Sequence, residues 1–355
     1  MMFAGFGICD AVYPHQRLRW DAARVAAAPG AWEGVMIRAP GELLSRDPGN
    51  PILTTADLAY PANSVFNPAA VRARDETLLL LRVEDQRGVS HFTLARSADG
   101  VRCWDIAAEP TLLPAPETFP EERFGIEDAR ITYLEELATY AVAYTAYSDV
   151  GPLVSLALTD DFRSFDRLGP ALPPENKDAA LFPTRFDGRW AMLHRPVTGN
   201  REHGAHIWIA FSPDLRHWSD HRVLLRARDG GAWDARKIGL SAPPLLTDEG
   251  WLILYHGTGG GPRPVYRLGL ALLDRDDPTR VLRRADEWIF GPHTPYEREG
   301  DVENVVFPCG WTRDGDDLRI YYGAADTCVA LAHGSVSELL GWLRSPERPM
   351  VAGAS

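Results

Sequence analysis

Glu127 and Asp128 are neighbouring carboxylates, Arg130 follows two positions later, and the apolar run Ile131-Thr132-Tyr133-Leu134 begins at once. That run has strand character. Ionisable groups at the mouth of a buried strand are costly unless they are paired or put to use. Carboxylates in a chain rich in Trp and Tyr suit glycosidic chemistry, in which an Asp or Glu protonates the leaving oxygen. Cations recur further along the chain, at Arg82, Arg130, Lys177, Arg195, Lys237 and His256. They are too numerous for a neutral sugar. In a chain of formal net charge −12, such a cluster reads as an anion site, with phosphate the obvious anion. The two features fit together. An inverting glycosidase needs an acid and a base to activate water, whereas phosphate arrives already nucleophilic and only the acid is required.

Other chemistries lack their motifs. The chain has no nucleophile elbow, no zinc helix motif and no phosphate loop leading into a helix. The stretch "HGTGGGP" (256–262) is rich in glycine, but Pro262 and Pro264 follow it, and it reads as a loop. Cys9, Cys103, Cys309 and Cys328 are not at metal-ligand spacing. Reduced thiols and a cytoplasmic location are the expectation. No metal or cofactor is called for; inorganic phosphate enters as a co-substrate. The acidic balance argues against nucleic acid as a partner. The N-terminal apolar run makes a poor signal peptide, and no stretch approaches the roughly 18 apolar residues of a membrane span.

The elements that position these residues repeat. "LARSADGVRCW" (94–104), "LALTDDFRSF" (156–165) and "IAFSPDLRHW" (209–218) each join an apolar strand end to Ser or Thr, an Asp-centred turn and an aromatic. Asp99, Asp161 and Asp214 are placed to accept nearby backbone amides. "LALLDRDDPTRVL" (270–282) is a looser fourth copy and "VALAHGSVSELLGW" (329–342) a degenerate fifth. A second series, from "LLLLRVED" to "LRIYYGAAD", interleaves with the first. With Asn67, Asp128, Asp178, Lys237 and Glu303 as markers, the units recur every 50 to 65 residues or so.

Five such units predict an all-β chain, a five-bladed β-propeller, in preference to a two-sheet sandwich. The chain 1–355 is then one domain. The propeller spans about 50–334, with an N-terminal extension 1–49 and a helical tail 335–355. Short helices are expected near 20–28 and 335–344. In each unit the polar residues fall at the start of the first strand and the end of the second, which a hairpin brings together. Asn67, Arg82, Glu84, Asp85, Glu127, Asp128, Arg130, Lys177, Asp178, His194, Arg195, Lys237, Tyr255, His256, Glu303, Asn304 and Asp326 should therefore gather at one end of a central funnel. For any one of these, an inter-blade salt bridge is the competing reading, and Glu127 is expected to pair with Arg130.

The motifs "NPAAVR", "LRVED", "FGIEDARIT", "YTAYS", "NKDAALFP", "GRWAMLHRP", "KIGLSAPPLLTDEGWLILYHGT" and "YYGAADT" together resemble glycoside hydrolase family 130, the β-mannoside phosphorylases and related β-mannosidases. The resemblance runs from about residue 60 to 330. It implies a five-bladed propeller with Asp128 as general acid, delivering its proton through the mannose 3-hydroxyl. Asn67, Arg82 and Asp326 would hold the sugar, together with Glu127, Arg130, Asp178 and Glu303. Lys177, Arg195, Lys237, Tyr255 and His256 would bind phosphate or the sugar beside it. The products would be α-mannose 1-phosphate and a shortened acceptor. Many relatives associate, so a homo-oligomer is open. Ala129 replaces the family's usual Pro, and "GLSAPP" (239–244) a more Gly-rich version; neither removes a catalytic group.

Two other functions stay in play. An inverting β-mannosidase on the same fold would need a base opposite Asp128, with Glu303 and Asp178 as candidates. A non-catalytic glycan-binding propeller would tolerate loss of the acid, yet "GIEDARIT" is intact. Tyr144, Tyr147, Trp233 and Tyr296 either line the acceptor side or pack between blades.

Overall fold

The computed structural model describes residues 35–197, 205–261 and 263–345. Five antiparallel sheets follow one another along the chain, and each packs against the next, the first three and the last joining the ring through their innermost strands. Blade I comprises Ser64–Ala73, Glu76–Glu84, Ser90–Ser97 and Asp105–Ile106. Blade II comprises Ile126–Leu134, Thr139–Ser148, Gly151–Thr159 and Asp166–Leu172. Blade III comprises Asn176–Phe186, Arg189–Pro196, Ile207–Ser212 and Ser219–Leu225. In blade IV a broken inner strand, Lys237–Leu240 and Leu245–Thr247, pairs with Gly250–Thr258, then come Tyr266–Leu273 and Val281–Arg284. Blade V runs Val306–Asp314, Asp317–Ala324 and Cys328–Ser335. Its fourth strand is Ser45–Arg46, from the other end of the chain, paired with His333 and Ala332. The five-bladed propeller is therefore formed.

The core lies mainly between blades, in five large apolar clusters, with a small sixth at Val305, Phe307 and Cys309. One example joins Leu78, Leu80 and Phe92 of blade I to Ile131, Val142 and Tyr144 of blade II. Because both faces of a blade are covered, the middle strands read as continuous apolar runs rather than alternating ones. Gly250–Thr258 is buried at every position. The repeated turns form as their chemistry requires. Asp99 accepts the amides of Val101 and Arg102, Asp161 those of Arg163 and Ser164, and Asp214 those of Arg216 and His217. Asp274 does the same in the looser fourth copy.

The terminal stretches differ in outcome. The closing strand Ser45–Arg46 lies inside the stretch read as an extension, since a two-residue strand leaves no periodic signal. Arg46 is fully buried and bonded to Glu42, Glu297 and the Gly291 carbonyl. The C-terminal helix is Val336–Arg344, capped by Ser335, whose hydroxyl accepts the Glu338 amide. The helix expected at 20–28 lies outside the described residues, as do 1–34 and 346–355.

Candidate active site

The inner strands of blades I, II and III share one device. Near the start of each, two residues oppose one on the partner strand: the register jumps between Phe66 and Ala69, between Glu127 and Arg130, and between Lys177 and Ala180. The first residue of each bulge is Asn67, Asp128 or Asp178, with φ of 43°, 51° and 53°. Asn and Asp tolerate this left-handed conformation better than other side chains, and a bulge re-aims the residue it carries. The markers in the last two units are not equivalent. Lys237 opens its strand opposite Thr258. Glu303 precedes Val306–Asp314, whose bulge falls instead at Cys309, between Pro308 and Gly310.

Asp128 is buried, 7% exposed. Its Oδ1 accepts from Asn67 Nδ2 and from Arg82 Nη1, both at 2.9 Å. Arg82 extends its fork to Glu127 at 3.1 Å and its Nε to Ser90 Oγ at 3.0 Å, with its guanidinium 4.5 Å from the Phe66 ring centroid. Burial by itself would raise the Asp128 carboxyl, but Arg82 and Arg130 outweigh it and hold the group below the usual carboxylate range. Asp326, at φ 53° after Ala325, behaves oppositely. Desolvation pushes it up to about 7, against Arg82 and with help from the Asp128 charge. Of the carboxyls that act on Arg82, Asp128 is thus held ionised while Asp326 keeps its proton almost to neutrality, the separation that acid–base sites exploit.

That split has a thermodynamic signature. An acid whose folded value is raised binds a proton the unfolded chain has lost, so its contribution is complete below the ordinary 3.8 and vanishes as pH rises through about 7. The melting temperature should fall between pH 5 and pH 8, and Asp326→Asn, which suits the same backbone, should flatten that fall. Identical slopes in both proteins would exclude Asp326 as the group.

The cations assemble on blades III and IV. Lys177 and Arg195 face each other in register. Arg195 Nε donates to Asp178 Oδ2 at 2.7 Å, and His256 Nε2 lies 3.5 Å from the same oxygen. Burial keeps His256 below its ordinary value although Asp178 works to raise it. Lys237 Nζ sits 5.0 Å from the Tyr266 ring centroid, and His256 stacks loosely on Phe307 with centroids 4.5 Å apart.

Several expected members take other posts. Arg130 is 1% exposed and donates to the Ser241, Leu240 and Asp128 carbonyls at 3.0, 2.9 and 2.9 Å, with Asp178 at 3.5 Å. It clamps three blades, and the pairing with Glu127 is not formed because the bulge turns the two side chains apart. Asp178 is enclosed by Arg195, Arg130 and His256, which hold it well below the carboxylate range against its burial. Tyr255 lies in the wall between blades III and IV, its hydroxyl donating to Asp234 Oδ2 and accepting from Arg284. One residue's change of face separates it from its neighbour His256. Glu303 is on the exposed rim, paired with Arg263 at 3.2 Å. Asp85 caps a turn for Arg87 and Val89, and His194 is buried against Asn176 and His221.

Tyr144 bonds Glu122 and Trp233 stacks on Tyr255, so both pack between blades. The aromatic that the sequence reading omits is Tyr266. Its hydroxyl, pushed up to about 12 by burial and by Asp326, remains a donor among Lys177, Arg195 and Asp178. Tyr266 pairs with Thr258, which pairs with Lys237, and counting across that hairpin was the available signal. Among the described residues no cluster of His, Cys, Asp and Glu is arranged to hold a metal.

Comparison with known proteins gives one consistent neighbourhood. The sequence profile of glycoside hydrolase family 130, described as β-1,4-mannooligosaccharide phosphorylase, matches residues 51–345. A β-1,2-mannobiose phosphorylase of Listeria innocua is 42% identical over 255 residues, covering 71% of this chain and 68% of that one. A β-1,4-mannooligosaccharide phosphorylase of Ruminococcus albus is 33% identical over 315 residues, covering 86% and 92%. In solved structures, the Listeria innocua enzyme with β-1,2-mannobiose superposes with a TM-score of 0.77 at 34% identity, over 84% of this chain and 99% of that one. Another structure, from a study of hydrolases in the same family that target β-1,2-mannosidic linkages in Candida mannan, has a TM-score of 0.74 at 25% identity, over 91% and 99%.

Proposed function

The chain belongs to glycoside hydrolase family 130, and on that footing we infer that it is a glycoside phosphorylase that cleaves β-D-mannosides with inorganic phosphate. An oxygen of phosphate attacks the anomeric carbon from the face opposite the leaving group. The bond from that carbon to the acceptor oxygen breaks, and the oxygen takes a proton that originates on Asp128. The products are α-D-mannose 1-phosphate and the acceptor sugar, with inversion.

Each group has a part. Asn67 and Arg82 fix the Asp128 carboxyl and face the bound sugar; Asp326 adds a protonated carboxyl that donates to a sugar oxygen. Lys177, Arg195, Lys237, His256 and the Tyr266 hydroxyl hold the phosphate dianion and offset its repulsion from the carboxylates. A dianion in that position raises the Asp128 carboxyl electrostatically, so the acid gains its proton as the site fills.

The observation that carries phosphorolysis over hydrolysis is the fate of the two candidate bases. Asp178 is committed to Arg195, Arg130 and the His256 imidazole, and Glu303 lies on the exposed rim beside Arg263. Neither is placed to activate water, whereas the cations that would hold phosphate converge. The test uses purified protein, α-mannose 1-phosphate and a panel of acceptor sugars. Release of inorganic phosphate that depends on one acceptor supports the reading and names the acceptor. Mannose set free from β-mannosides without phosphate overturns it in favour of hydrolysis. Lys237→Ala should raise the KM for phosphate about 10- to 100-fold, the worth of one charge-assisted hydrogen bond. An unchanged phosphate response would remove Lys237 from the anion site.

A further inference from the structure

Gly239 stands in the middle of Lys237–Leu240, directly opposite His256 in register. It is buried, and its φ is not among the positive values of the chain. Nothing in its backbone therefore calls for glycine, and a glycine inside a strand weakens it. The reason lies in space. A Cβ at this position would come within 2.6 Å of both Cε1 and Nε2 of His256, and closer still to Oδ2 of Asp178. Those atoms belong to the group that orders Arg195, since Asp178 Oδ2 accepts from Arg195 Nε at 2.7 Å.

Other tightly packed glycines differ in what they touch. A Cβ at Gly250 would strike the Leu273 carbonyl oxygen, and one at Gly310 the Ala70 amide nitrogen. Those glycines serve the fold, because backbone cannot step aside. At Gly239 all three nearest atoms are the far ends of side chains, and every one of them belongs to the anion site.

We propose that Gly239 is a positioning residue for phosphate, which acts by leaving room for Asp178 and His256 to meet and so to orient Arg195. The proposal rests on reading the cations of blades III and IV as the phosphate site. A methyl group here displaces the Asp178 carboxylate and the His256 ring while leaving the strand in place. The sugar-side groups Asn67, Arg82 and Asp128 belong to other blades, and none is among the three atoms nearest to that methyl group.

Gly239→Ala is tested in the intact protein by initial rates over a matrix of phosphate and β-mannoside concentrations, with thermal melting alongside. The expected result is a KM for phosphate at least tenfold higher, a KM for the mannoside within twofold of wild type, and a melting temperature within a few degrees. Because the imidazole is one of the displaced groups, the KM change of Gly239→Ala combined with His256→Ala should fall short of the product of the single changes. Equal rises in both KM values, no change in either, strict multiplicativity, or failure of Gly239→Ala to fold would each overturn the proposal. A wild-type protein that does not saturate with phosphate would instead refute the underlying phosphate site, and the proposal with it.

Discussion

Asp128→Asn lowers turnover on β-mannosides by about three orders of magnitude, within the range that general acid catalysis contributes. The substitution removes the transferable proton and almost no volume. Asn is suited to the left-handed backbone at φ 51°, and its side-chain oxygen still accepts from Asn67 and Arg82. Arg82 keeps Glu127 as a counter-charge, so the melting temperature changes little. The decisive measurement compares two leaving groups. With 4-nitrophenyl β-mannoside the departing phenolate needs little protonation, and the loss should shrink to about tenfold or less. With a sugar acceptor it should be complete. An equal deficit on both substrates, or near-full activity on either, would mean that Asp128 does not supply the proton.

Arg130→Met is expected to destabilise the protein by about 3–5 kcal/mol, the usual result of removing one partner from a buried charged network. Methionine fills much of the space but leaves three carbonyls, those of Asp128, Leu240 and Ser241, without the donor they share. Asp178 loses one of its two arginines at the same time. The melting temperature should drop by something on the order of 5–10 °C. Turnover should fall too, because the guanidinium holds the backbone of the residue that carries the acid. Arg130→Lys should recover little, since a single ammonium cannot serve acceptors that a planar fork reaches in several directions. A variant that melts like wild type, with its defect confined to the KM for the mannoside, would return Arg130 to the sugar-binding role its sequence neighbourhood implies.

The difference between Arg130 and Asp128 shows where a linear reading succeeds and where it stops. The propeller was legible because its turns are local: an Asp that accepts two amides and an aromatic that follows announce themselves within ten residues or so. The polar bulge was legible as well, since Asn67, Asp128 and Asp178 recur at one position of successive units. The face each neighbour adopts was not. In a strand, one residue's displacement sends a side chain to the opposite side, and a bulge resets that alternation. Glu127 therefore reaches Arg82 while Arg130 turns beneath the site, and Tyr255 faces the wall while His256 faces the axis. Tyr266 escaped notice because its partner Lys237 lies two strands away, a relation that only the hairpin register supplies. Equivalence between units also weakens along the chain: Lys237 and Glu303 share the spacing of the repeat without occupying its bulge.

The sheet shared by Ser45–Arg46 and Cys328–Ser335 also bears on how the chain is made. The first of these strands leaves the ribosome early, and its partner follows only about 290 residues later. At about 5–20 residues per second, the ring therefore stays open for roughly 15–60 s of synthesis. For most of that interval Arg46 has no Glu297 to meet, and blade I has no neighbour on one side of the gap. For that period the ring is unclosed, and only the arrival of blade V supplies the strand that closes it.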